Sequence, residues 1–418
     1  MARTQRPSLR NLPRASAGNV LAITAACLPL LVGAAGLAVD TAEWTYWKRQ
    51  LQREADSAAI AGAFAKAQGK DAVDAATSDL SRTSVITLSG PADIKSAPTA
   101  GAYAGNAQAV RVNLTTAQRL PFSGTFLSTA PSIAAHATAA VVSNGDYCAL
   151  ALGATSAVGI KMQGNAALNF GCGLATNSRS TNAVTAGGSS SVNATPVSAV
   201  GGLTASNNYT GNTQLLPYSL PQPDPYASIA NPTPNCSGAT SVSVGPNSSQ
   251  ALTPGCYKGI NIKGTATLAP GTYYVDGSTF SLGSQASVVG DGVTIVLTSS
   301  TAATSPSSIA TLDINAGATV QLTASTAGPY AGLLFYQDRR AQDSGANMIN
   351  GNATSKLQGA FYFPSQELDF SGTSGMTTDC LQLVALRLSF LGNTSVSNQC
   401  PGGSGAGSFK GVQVRLVE

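Results

Sequence analysis

One stretch limits what this chain can become before anything else is considered. Val20 to Val39, VLAITAACLPLLVGAAGLAV, holds no charged residue and stops against Asp40. As a helix, its twenty residues rise about 30 Å, the thickness of a bilayer's hydrocarbon core. The charges around it are asymmetric. Arg3, Arg6, Arg10 and Arg14 precede it with no acid among them, whereas Asp40, Glu43, Lys48, Arg49, Arg53, Glu54 and Asp56 follow with signs mixed. The arginine-bearing side stays cytoplasmic, so the remainder of the chain is expected across the membrane. A secretory signal has a similar basic start, but its apolar core spans only about 7–15 residues. Here the run is longer and passes straight into more helical pattern, so an uncleaved, single-pass anchor is expected. Pro29 lies inside the run, a position that membrane helices tolerate because neighbours satisfy the freed carbonyl.

Beyond the run, Trp44, Trp47, Leu51, Ala55 and Ala58 recur at spacings of three and four and extend the helix to about Ala67. Trp44 and Trp47 sit one to two turns past Val39, placed either to anchor in the membrane interface or to pack on the next domain. Arg14 to Ala63 resembles the N-terminal module of TadG-like proteins of Flp (tight adherence) pilus assembly. The shared features are Arg14, Gly18 and Asn19 ahead of the span, small residues around a central Pro29, and Gly36-Leu-Ala-Val-Asp40 at the exit. Leu51-Gln52-Arg53, Ala55-Asp56 and Ala58-Ala59 continue them. The resemblance covers about the first 65 residues. It implies a bacterial inner-membrane protein with a cytoplasmic N-terminus, whose partners are the membrane and Tad secretion or pilus components. Pseudopilins of the same systems carry a Glu five residues after the Gly at which they are cut; here Ile23 stands at that distance from Gly18.

Four segments follow from the pattern: a basic cytoplasmic tail over 1–17, a transmembrane helix over 18–40, a membrane-proximal helix with a small α+β, pilin-like unit over 41–142, and an exported, mainly β domain over 143–418. In the third, Ala109 to Leu114 and Ile133 to Val142 alternate as strands, Asp71 to Leu80 reads as a short helix, and Leu120 to Leu127 as a connecting helix. In the fourth, a turn pattern recurs: Ile262-Lys-Gly264-Thr-Ala-Thr-Leu268, Leu282-Gly283-Ser-Gln-Ala-Ser-Val288, Ile314-Asn-Ala-Gly317-Ala-Thr-Val320 and Leu391-Gly392-Asn-Thr-Ser-Val396. Units this short cannot bury their apolar faces alone and must stack. With only 10% charged residues, 43% hydrophobic and 44 glycines, the expected fold is a right-handed parallel β-helix whose rungs rise about 4.8 Å. A β-sandwich is the alternative. A Pro-rich insertion near 207–235, with Pro217, Pro221, Pro223, Pro225, Pro232 and Pro234, cannot join a strand ladder and is expected to wrap the surface or cover an end.

Of seven cysteines, Cys27 lies in the span and six lie beyond it. An even number in an oxidising compartment suggests three disulfides. The neighbours Cys148–Cys172, Cys236–Cys256 and Cys380–Cys400 are favoured. Their separations of 24, 20 and 20 residues match one coil of the stack, which would bring the Cα atoms to about disulfide distance. A zinc site is the alternative use of these cysteines, disfavoured by the lack of C-x2–4-C spacing and of a nearby histidine; His136 stands alone on the outer face of a strand. No metal, cofactor or nucleic acid is expected, since the net charge of +4 is spread thinly.

Parallel β-helices are shared with polysaccharide lyases and hydrolases, whose sites use carboxylates beside a cation. Asp338, Arg339, Asp343, Glu367 and Asp369 are the corresponding carbohydrate-site candidates. Neighbouring Asp and Arg also form plain ion pairs, and fold analogy does not supply an activity. The leading expectation is a non-enzymatic, membrane-anchored envelope protein of Flp pilus assembly or surface adhesion. The alternative is a β-helix protein that binds or cleaves carbohydrate.

Overall fold

The computed structural model describes residues 16–351, 355–372, 376–378, 380–398 and 407–418. They form two compact units, one up to Val142 together with Val414–Glu418, the other Ser143–Gln413.

The first unit is built on α1 (Ser16–Ala67). It alone among the described helices is long and apolar enough to cross a membrane, and the protein buries none of its apolar window. A core helix would hide Leu21, Leu30 and Leu31; here they are 76, 74 and 68% exposed. A single-pass anchor fits this helix. Past the run, small residues decide the packing. Ala55, Ala58, Ala59 and Ala63 are fully buried, letting α1 lie close to α2 (Ala72–Thr83) and to a sheet. That sheet pairs β1 (Asp93–Ser96) with β2 (Ala109–Ala117), and β2 with the first half of β3 (Ser132–Ala151), all antiparallel. Asp71 caps α2 by accepting from Asp74 N at 2.8 Å. Buried Glu54 accepts from Val85 N and Ser84 Oγ at 2.8 and 2.9 Å just beyond α2, so its charge is satisfied where the chain leaves that helix.

One expectation is corrected here. Leu120 to Leu127 is not a helix; only a 3-10 turn forms, Ser123–Thr125. Gly124 lowers the helical preference, and eight residues make little more than two turns, too few to hold a helix without packing on its faces.

In the second unit the paired strands run parallel. Three ladders recur in chain order. The first contains, neighbour to neighbour, Ser241–Val244, Gly259–Ile262, Thr279–Leu282, Thr311–Ile314, Ala346–Gly351, residues 367–372, residues 387–392, Ile160–Gly164 and Val184–Ala186. Its register sets one inward column: Val244, Ile262, Leu282, Ile314, Ile349, Phe370, Phe390, Met162 and Ala186. The intervening column reads Ser243, Asn261, Ser281, Asp313, Met348, Asp369, Ser389, Lys161 and Thr185. Alternation of period two therefore explains the burial: the first column from Val244 to Met162 is at most 2% exposed. Phe335, Phe361, Phe370, Phe390 and Phe170 touch in succession through the interior, with ring centroids 5.0, 6.2, 5.4 and 6.1 Å apart.

The order of layers is not the order of the chain. The C-terminal strand 387–392 lies against Ile160–Gly164, and Leu383–Ala385 against Ala149–Ala151. The chain thus begins the unit with layers that sit beyond its own last ones. After Leu215–Leu216 pairs with Val197–Ser198, the chain must travel back to Ser241. Nine layer steps of about 4.8 Å make about 43 Å, and the Pro-rich segment is long enough, at about 3.3 Å per extended residue, to cover it.

Candidate functional site

The third ladder runs through Gly255–Tyr257, Gly271–Asp276, residues 293–298, Leu333–Gln337, residues 360–363, residues 382–385 and residues 149–151, and it is covered on both faces. Its inward column includes Tyr273, Ile295, Phe335, Phe361, Leu383 and Ala149. Its outward column is also apolar: Tyr274, Val296, Tyr336, Tyr362, Val384 and Leu150. Tyr336, Tyr362, Val384 and Leu150 are fully buried, with Tyr226 and Ile229 of the Pro-rich segment packed on this second cluster. The tyrosine rings stack along the ladder, Tyr336 on Tyr362 at 5.1 Å and Tyr226 against Tyr362 at 5.4 Å.

The Pro-rich segment is tied down in sequence order along this face. Gln222 N donates to Asn177 Oδ1 at 2.7 Å, and Val412 N to Gln222 Oε1 at 2.8 Å. Asp224 accepts from the Tyr362 hydroxyl at 2.8 Å. Tyr226 Oη bonds Gln382, and Arg339 donates to the carbonyls of Tyr226 and Ala227 at 2.9 Å each. Arg340 Nη2 donates to Pro232 O at 3.0 Å. Cys236 then joins Cys256. Because proline leaves carbonyls but no N–H groups, arginine forks are the natural partners for such a strap.

Two of the carbohydrate candidates therefore hold the strap. Asp338 is fully buried and accepts from Arg340 Nε, Arg340 Nη2 and Thr298 Oγ1 at 2.9, 2.6 and 2.8 Å. It fixes the fork that reaches Pro232. Arg339 lies over the Tyr362 ring, 5.7 Å from its centroid, and its Nη2 donates to the Tyr362 hydroxyl oxygen at 3.0 Å. Burial, and then the hydrogen bond and charge of Asp224, push the Tyr362 phenol well above its ordinary range, so it stays a neutral donor. The other three candidates lie on or beside the first ladder. Arg387 bonds both oxygens of Asp343 at 2.7 and 2.8 Å and Glu367 at 3.0 Å. Its guanidinium holds the Asp343 carboxyl below the usual carboxylate range. Asp338 and Glu367 thus pair with different cations, Arg340 and Arg387.

Asp369 is the exception. It sits in register between Met348 and Ser389; one of its oxygens is buried without a hydrogen-bond partner. Desolvation raises its pKa above the ordinary value, and the Glu367 charge adds to the rise. A raised folded-state pKa means that folding is disfavoured by this group once it ionises. Asp369→Asn should therefore stabilise the protein at pH 7, by well under about 1 kcal/mol at a half-exposed site, and give no gain near pH 3. Urea midpoints at the two pH values check this; equal gains at both would contradict it.

Cys148 is joined to Cys172 and Cys236 to Cys256, with Cα atoms 5.8 and 5.3 Å apart. Cys256 pairs in register with Tyr274 on the third ladder, so the second bond pins the strap's end to the first layer. The expected Cys380–Cys400 bond lies outside the described residues. Replacing Cys236 and Cys256 together by Ser should cost about 3 kcal/mol, the loop-closure value for some twenty residues. Guanidinium unfolding of the full chain measures it; a loss that vanishes would mean the strap is held without the bond. Of the two tryptophans, Trp47 packs on the core of the first unit, whereas Trp44 is 43% exposed.

What sequence reasoning missed is the contact between the strap and the third ladder through Asp224, Tyr226 and Tyr362, together with Arg387. A signal was present: Leu333-Leu-Phe-Tyr and Phe361-Tyr-Phe are continuous apolar runs rather than alternating ones, which marks strands covered on both faces.

Residues 18–68 match the family model described as "Putative Flp pilus-assembly TadE/G-like". Neither a curated protein nor a solved structure gives a match. The module falls on α1, from the start of the apolar run to the end of its Ala-rich packing face.

Proposed function

We propose that this is a non-enzymatic scaffold of Flp-type pilus assembly, fixed in a bacterial inner membrane by one helix and presenting a rigid β domain on the far side. The observation that carries the reading is the pilus-assembly module at residues 18–68, joined in one chain to a charge-poor, disulfide-bonded stack of parallel strands. The four N-terminal arginines argue for a cytoplasmic N-terminus. Disulfides argue for an oxidising compartment beyond the membrane. Within the β domain we favour a right-handed parallel β-helix over a sandwich. Long-range parallel register over nine strands of one ladder supports it, because sandwiches are built from antiparallel pairs. Three of the four carboxylates that suggested carbohydrate chemistry are engaged by arginines, Asp338 by Arg340 and Asp343 and Glu367 by Arg387, which supports a structural role. A domain that keeps its shape suits an assembly platform or an adhesive surface.

Crosslinking intact envelopes and purifying the protein through a C-terminal tag tests the reading. Tad secretion or pilus components should be enriched over an unrelated single-pass anchor. Recovery equal to that control would overturn it.

A further inference from the structure

The exit of the membrane helix is not a bare helix end. Asp40, which closes the apolar run, is only 4% exposed and accepts two backbone hydrogen bonds, from Phe122 N at 2.9 Å and Ser123 N at 2.6 Å. One turn earlier, Gly36 leaves the space that the Phe122 ring fills: a Cβ there would stand 2.3 Å from the ring carbons Cγ and Cδ2. These contacts fix the depth of the loop. Gly36 lies about 6 Å below Asp40 along the helix axis, inside the apolar run. The loop carrying Phe122 is therefore level with the last turn of the span.

The rest of that loop has the composition its depth requires. Leu120-Pro-Phe-Ser-Gly-Thr-Phe-Leu127 holds no ionisable side chain. Phe126 packs edge-on against Phe122 at 5.4 Å, yet is itself 77% exposed, and Leu127 is 49% exposed. Arg119 at the loop's base reaches back to the Ser128 carbonyl, a cation where headgroups would be. Farther along α1, Trp44 and Tyr46 are 43 and 59% exposed, aromatic side chains suited to the same interfacial layer. Two large apolar side chains facing outward beside the end of a membrane span have one solvent at hand, the lipid that surrounds the span.

We propose that residues 120–127 form a second membrane contact, with Phe126 and Leu127 inserted at the boundary between acyl chains and headgroups. The contact rests on reading Val20–Val39 as the membrane span. Gly36 and Asp40 clamp the loop to that span, and the loop thereby fixes how the rest of α1 leaves the bilayer. An interfacial wedge of this kind resists tilting of the helix, because tilting would lift Phe126 and Leu127 into water.

Spin labelling of the full-length protein in vesicles of phosphatidylethanolamine and phosphatidylglycerol tests this. A nitroxide is placed at Phe126→Cys in a Cys27→Ser background, with the Cys27→Ser protein as the blank for other reactive thiols. Labelled native Cys27 reports the span, and Tyr218→Cys, at a site 78% exposed, reports water. Collision with oxygen and with a water-soluble nickel chelate is measured at each. The label at Phe126→Cys should lose most of the chelate accessibility seen at Tyr218→Cys, keep oxygen accessibility, and lie shallower than the label at Cys27. Adding Gly36→Leu should restore chelate accessibility at that site while leaving the span unchanged. A label at 126 as accessible to the chelate as the water control, with Cys27 still in lipid, overturns the contact alone. A label shielded from both reagents overturns it in favour of a protein neighbour. Chelate access at Cys27 itself removes the span and the contact together.

Discussion

Arg340→Ala is expected to destabilise the β domain by roughly 3–5 kcal/mol, the cost of leaving a buried carboxylate without its cation. The change removes the two side-chain donors that Asp338 receives from Arg340, and it frees the Pro232 carbonyl. Asp338 is fully buried and keeps only the Thr298 hydroxyl and the backbone N–H of residue 340. Guanidinium unfolding of the full chain in detergent should show the loss, accompanied by faster proteolysis within residues 217–235. Removing the charge as well separates the two contributions: Asp338→Asn with Arg340→Ala should recover part of the stability without restoring the strap's protease resistance. Arg340→Lys should fall between, since an ammonium keeps the charge but loses the fork. An Arg340→Ala protein as stable as one changed at the exposed pair of Lys95 and Asp93 would show that the clasp does not hold the strap.

Phe390→Ala should cost about 3–5 kcal/mol, the range for deleting a buried aromatic ring. Phe390 is fully buried, stacks on Phe370 and meets Phe170 edge-on. It also pairs in register with Met162, at the seam where the chain's last strands meet its early ones. The location gives the prediction a second reading. Residues 160–199 should become protease-sensitive before residues 241–298 do, because the seam separates them from the longer run of layers. Uniform loss of protection would mean that the two groups of layers unfold as one.

The long apolar helix was legible because a bilayer leaves so plain a requirement, about twenty apolar residues in a row, and α1 fits it. Strand texture was legible too, since Gly-centred turns between short alternating segments bring Ile262, Leu282 and Ile314 into one column. The cysteines carried more information than their number, because a separation of about one layer brings two Cα atoms onto adjacent rungs.

The layer order was not legible. Periodicity states which face of a strand is inward, but not which distant strand lies beside it. Nothing local at Phe390 points to Met162. The Pro-rich segment illustrates the same limit: its inability to join a ladder could be read from Pro217 to Pro234, but its path over the tyrosine column depends on that order. The carboxylates were weighed by type. In the structure, Asp338 and Arg339 act through what they touch, a buried fork and a proline-rich backbone. Leu120 to Leu127 failed as a helix for a local reason, its shortness and Gly124.

The compartment of the β domain is the point on which the rest depends. Alkaline phosphatase, which folds only where disulfides form, and green fluorescent protein, which fluoresces in the cytoplasm but not after Sec-dependent export, can each be fused after Glu418. The phosphatase fusion should be active and the fluorescent fusion dark. A bright fluorescent fusion with an inactive phosphatase would place the β domain in the cytoplasm and contradict the anchored, exported scaffold.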